Sequence, residues 1–204
     1  MNRKMSVVLL ALSLFFVASV TLVAQNGNGN MNQTGMFGSR QCVACGATAA
    51  SSQPLTDTEK TWLLFMREEE KLARDVYQVL AEKYNLRVFA NIAQSEQRHF
   101  EATGILITRY GLTDPAEGKA AGEFTNPDLQ TLYNSLATPG PATLIEALQA
   151  GVTIETKDIE DLKVSIANAQ NTDLIKIYSN LLSGSERHLD SFNSHLEVLG
   201  VVNP

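Results

Sequence analysis

The chain has 204 residues, 44% of them hydrophobic, which is enough for one domain with a full core. Lys and Arg number 16 against 22 Asp and Glu, a net charge of −6, and no basic patch stands out. That balance argues against nucleic acid or an anionic membrane surface as a partner.

The chain opens with "MNRKMSVVLLALSLFFVASVTLVAQ", in which Arg3 and Lys4 precede an apolar run that ends at Ala24. Charged, apolar and small residues in that order predict a secretory signal peptide over 1–24 and an extracytoplasmic, secreted or periplasmic, location. An uncleaved N-terminal anchor is the alternative, because the run is nearly long enough to span a bilayer. Residues 25–54 are rich in Gly, Asn, Gln and Ser and predict a flexible tether. Within it Cys42 and Cys45 form a lone "CVAC", with Gly46 where a haem attachment would have His. A local disulfide or an exposed dithiol is the reading in an exported protein, and no function is assigned to it.

From Leu55 the periodicity is helical, and the expected domain spans 55–200. The first helix starts at a Thr56 or Asp57 cap with Glu59 in its first turn, and Trp62, Met66, Ala73, Val76, Tyr77, Leu80 and Tyr84 recur at helical spacing. A second helix is expected from about Val88 to Tyr110, stopping at Gly111. A Pro- and Gly-punctuated connection follows, with a short helix near Asp128–Leu136. A third helix spans roughly Ala142–Ala169 and a fourth roughly Asp173–Leu199. Nothing alternates with period two for long enough to make a strand. The fold class predicted is all-α: a four-helix bundle with a crossover connection between its second and third long helices.

The chain has three histidines, and two of them lie in near-copies, "SEQRHFE" at 95–101 and "SERHLD" at 185–190. Glu96 and His99 are three apart and share a helix face with Ile92 and Thr103, so both point inward. Buried carboxylates are costly without compensation, and a cation gathered among several of them supplies it. On the first helix Glu68 points away from the apolar stripe, while Glu69 and Glu70 flank it, and periodicity does not choose between them. On the third, Glu155 follows Val152 by one turn, with Asp158 three further on. "EEKLARDV" at 69–76 and "ETKDIEDL" at 155–162 also align, giving a weak internal repeat of acid helix and histidine helix, twice over. That alignment favours Glu69. The bland alternative is a solvated edge or an ion-pair network, with Met66, Tyr77 and Phe100 as core.

Over about 55–200 the chain resembles the ferritin-like superfamily. It is similar to a bacterial and archaeal group within it, a domain family of unknown function. The stretches that carry the likeness are "MREEEKLARDVY", "NIAQSEQRHF", "YGLTDP", "AGVTIETKDIEDL" and "NLLSGSERHLDSF". The superfamily's ligand Glu, with Ala three later and Tyr seven later, fits Glu70, Ala73 and Tyr77, in competition with Glu69. Glu96 and His99 match its Glu-x-x-His element, and Glu155 with Asp158 resembles the doubled acid of rubrerythrin-like members.

The resemblance implies a metal site drawn from Glu70, Glu69, Glu96, His99, Glu155, Asp158 and His188, with iron as the cofactor and manganese or another first-row metal as the alternative. Glu96 or Glu155 would bridge, and Tyr77 would donate a hydrogen bond nearby. The fourth helix departs from the pattern. Ser185 stands three before His188, and Glu186, two before it, is swung about 160° away on an ideal helix. His195 is expected half-exposed near the end of its helix. Two functions follow as expectations: an exported metal-dependent oxidoreductase reacting with oxygen or peroxide, or a non-catalytic module that sequesters metal or docks a partner.

Overall fold

The computed structural model describes residues 53–201. The expected signal peptide, the tether and Cys42/Cys45 lie outside the described residues. Among the described residues there are five helices and no strand. They are α1 (Asp57–Tyr84), α2 (Arg87–Arg109), α3 (Pro127–Ala137), α4 (Leu144–Asn168) and α5 (Thr172–Val198). The protein is therefore all-α, and none of these helices is long and apolar enough to cross a membrane.

The helix starts follow from local chemistry. Thr56 caps α1 through a reciprocal box with Glu59, and Thr143 caps α4 in the same way with Glu146. Asn126 and Asn171 cap α3 and α5 by accepting two backbone N–H groups each. α1 ends at Asn85, whose φ of 49° is left-handed, a conformation that asparagine tolerates.

α1 lies along α2, and α4 along α5; α1 also touches α4, and α2 touches α5. Two apolar clusters form between them. Leu72, Val76, Tyr77, Phe89, Leu148 and Phe192 anchor one, and Leu63, Met66, Leu106, Leu162, Leu174 and Leu181 the other. On every long helix the sequence passes from one cluster to the other through a polar interval. These intervals hold Glu69 and Glu70 on α1, Glu96 and His99 on α2, Glu155 and Asp158 on α4, and Ser185 and His188 on α5. The candidate site is thus a polar layer between two apolar ones, shielded from water at both ends.

The outer face of α1 is covered as well, which its charge pattern did not suggest. Glu68 lies off the apolar stripe as expected, yet it is buried, because it accepts the backbone N–H groups of Thr125 and Asn126. Lys71, only 1% exposed, pairs with Asp75 at 2.6 Å and donates to the Ala120 carbonyl. Arg67 forks onto Asp114 and also reaches the Phe100 carbonyl. Residues 114–126 thereby strap across α1. Phe100, expected in the core, is half-buried instead, with the guanidinium groups of Arg67 and Arg74 stacked on its ring.

Candidate metal centre

Glu70, Glu96 and His99 bring ligand atoms within 4.8 Å of one another, and so do Glu96, Glu155 and His188. Glu96 belongs to both groups. Its Oε2 is 2.7 Å from His99 Nδ1 and its Oε1 is 2.7 Å from His188 Nδ1. Glu70 Oε2 flanks His99 at 3.3 Å, and Glu155 Oε2 flanks His188 at 3.5 Å. The imidazoles stack with centroids 5.6 Å apart. The three carboxylates are 1% exposed or less.

The contacts are close but poorly directed. His99 Nδ1, His188 Nδ1, Glu96 Oε1 and Glu70 Oε1 are all buried without an aligned hydrogen-bond partner. Polar atoms that crowd together without donating to one another are arranged as donors to a shared third party, and first-row cations are bound by this mixture of carboxylate and imidazole. The residues present therefore fit such an ion.

Without a cation the charges rearrange. Burial pushes Glu70 up to about 8 despite His99, and burial with the neighbouring Glu96 raises Glu155 to about 7. Burial opposes ionisation of Glu96 too, but contact with His188 and His99 outweighs it and holds the carboxyl at about 2. The imidazoles respond in kind: against the cost of burial, Glu70 and Glu96 raise His99 to about 10, and Glu155 and Glu96 raise His188 to about 9.

Supporting contacts fix the ligands. Tyr77 donates to Glu155 Oε1 at 2.6 Å, which leaves Oε2 facing His188. Gly184 makes room for His99: a Cβ there would lie 2.6 Å from the imidazole. The spacing of acids and histidines does not point to that glycine, although a glycine inside a helix is itself a signal of close approach. Ser185 is buried and donates to Asp158 Oδ2 at 2.5 Å.

Glu69 and Asp158 are buried nearby but join neither ligand group. Glu70 rather than Glu69 is the first-helix acid that faces the imidazoles. His195 is half-buried away from the centre, with Nδ1 2.8 Å from the Ser191 carbonyl.

The chain is 44% identical over 140 residues to uncharacterized protein MJ0754 of Methanocaldococcus jannaschii, covering 69% of this chain and 76% of that protein. The crystal structure of hypothetical protein MJ0754 from Methanococcus jannaschii superposes with a TM-score of 0.74 at 40% identity, over 76% of this chain and 89% of that one. A family profile described as an uncharacterized protein domain, DUF2202, matches residues 59–203, and the chain belongs to that family.

Proposed function

We propose that this is an exported, ferritin-like metal-binding protein. In this reading the four long helices are the four-helix bundle, the segment 110–143 is its crossover, and iron is held by Glu70, Glu96, His99, Glu155 and His188. Manganese or another first-row metal is the alternative occupant. Bound iron would supply reactivity toward oxygen or peroxide, the oxidoreductase function that the sequence resemblance implies. The chain's own contribution is positional: Glu96 presents one oxygen to each half of the centre, Tyr77 orients Glu155, and the two apolar clusters keep bulk water away.

One observation carries this reading. Four buried ligand atoms on Glu70, Glu96, His99 and His188 meet without aligned hydrogen bonds, an arrangement that an ion-pair network alone leaves unsatisfied.

Glu70→Gln gives the cleanest test. Because the Glu70 carboxyl titrates at about 8, glutamine mimics its neutral form near pH 7. The metal-free variant should therefore melt close to wild type. Wild-type protein should gain stability with Fe2+ under anaerobic conditions, or with Mn2+, by about 2.7 kcal/mol at a hundredfold excess over Kd. Glu70→Gln should lose most of that gain. A wild type indifferent to every first-row cation would end the metal reading. Metal-dependent stabilisation without peroxide or oxygen consumption would leave the sequestering module in place of the oxidoreductase.

A further inference from the structure

Two buried carboxylates remain outside the ligand groups. Glu69 is 4% exposed with Oε2 unpartnered, and Asp158 is 5% exposed with Oδ1 unpartnered. Burying an acceptor without a donor weakens the fold, so each such atom calls for an explanation. Their surroundings supply one. The charges acting on Glu69 are those of Asp161, Lys157 and Glu70, and those acting on Asp158 are Glu70, Glu69 and Glu155. Asp161 and Lys157, joined as an ion pair, line a surface cleft of about 600 Å³ together with Trp62, Phe65 and Glu68. On α4, Glu155, Asp158 and Asp161 stand three apart on one face, with Asp161 at the cleft, and on α1 Glu69 adjoins Glu70, so carboxylates succeed one another from the cleft to the centre.

A divalent cation reaching a buried site must shed its water in stages, and each lost water needs an oxygen in exchange. The geometry points to an uptake route on the α1/α4 side, in which Asp161, Glu69 and Asp158 pass a divalent cation inward to Glu70 and Glu155. The proposal rests on the metal-binding reading of the centre. Lys157 guards the outer step, and its side chain is half exposed, free to swing into water as the cation takes its place on Asp161. The Ser185 hydroxyl occupies one Asp158 oxygen and leaves the other, buried, without a hydrogen-bond partner. The competing way in runs past His99 and His188, whose side chains are 12% and 10% exposed. On that side the partly exposed groups of the centre are the two imidazoles.

A residue on a route speeds loading and release alike, whereas a ligand sets affinity mainly through release. Co2+ loading of the full chain, followed by stopped-flow visible absorption, separates the two for wild type, Glu69→Gln and Asp161→Asn. Both variants should load and release about tenfold more slowly, the loss expected when an oxygen that can shed its proton and take over the cation is replaced by an amide, with little change in Kd. Loading at the wild-type rate in both variants would overturn the proposal in favour of the histidine side. Unchanged loading with weakened Kd would overturn it too, making Glu69 a ligand. A folded wild type that takes up no Co2+ defeats the metal reading and this route together. Should Glu69→Gln fail to fold, Asp161→Asn, at the cleft, decides alone.

Discussion

Gly184 sits where α5 passes the His99 imidazole, and its missing Cβ is what lets Glu70 and Glu96 reach Nδ1 of that ring. Within a helix Gly→Ala ordinarily stabilises by about 0.5–1 kcal/mol. Here the sign should reverse. Gly184→Ala should push His99 out of the layer, lowering both the melting temperature and metal affinity, whereas alanine at an exposed helical position should do neither. Parallel melts and metal titrations check it. Much of the cluster was legible in residue spacing: Glu96 with His99, Glu155 and His188, which the spacing and the repeat single out, come together in the structure. The choice between Glu69 and Glu70 was not. Adjacent residues on a helix point about 100° apart, and both directions are buried here, one toward the imidazoles and one toward Asp161. Only the neighbouring helices decide which is which. The departure at Ser185 was visible in sequence, but its partner Asp158, on another helix, was not.

At the scale of elements, helix boundaries were readable to within a residue or two because the caps of α1, α3, α4 and α5 are spelled locally, α2 alone starting without a side-chain cap. Glu59 shows where local reading stops. One of its oxygens closes the Thr56 box, as the sequence suggested. The other accepts the backbone N–H groups of Gln170 and Asn171, each at 2.8 Å, tying the start of α1 to the turn before α5. Glu59→Ala should therefore cost more than a helix cap, about 1–3 kcal/mol, because two N–H groups at a nearly buried turn lose their acceptor. Glu146→Ala, whose box at α4 is exposed, should cost distinctly less. Denaturant midpoints of the two variants measure the difference. The strap over α1 is not legible in the sequence for a related reason. Glu68, Lys71 and Asp75 look like a solvated face until residues 114–126 are laid across them.

For the molecule as a whole, the titrating centre fixes how stability follows pH. His99 and His188 are raised in the folded state, so their contribution is complete below about 6.5 and is lost as pH rises through about 9 and about 10. Glu70 and Glu155, raised to about 8 and about 7, add to the decline, because ionising them in place is unfavourable. Glu96, depressed to about 2, contributes above about 4.5 and is lost only in strong acid. Metal-free protein should accordingly melt at progressively lower temperature from pH 6 to pH 10. Metal must displace the same protons, so its affinity should climb over that range, with about three protons released per centre filled near pH 7. Calorimetry in buffers of different ionisation enthalpy counts them. Metal binding independent of pH would contradict the assignment of both imidazoles as ligands.

The strap also breaks the symmetry that the internal repeat suggests. Arg67, Glu68 and Lys71 on α1 each have a partner in residues 114–126, beyond the end of α2. A nascent chain that has emerged only as far as Arg109 already carries Glu70, Glu96 and His99, yet its buried charges still wait for the connection. The α4–α5 hairpin, joined by a short turn, has no such wait. The two halves are alike as sequence and unlike as units of assembly: the first completes itself only after its own helices are made, and the second can close on it as soon as it appears.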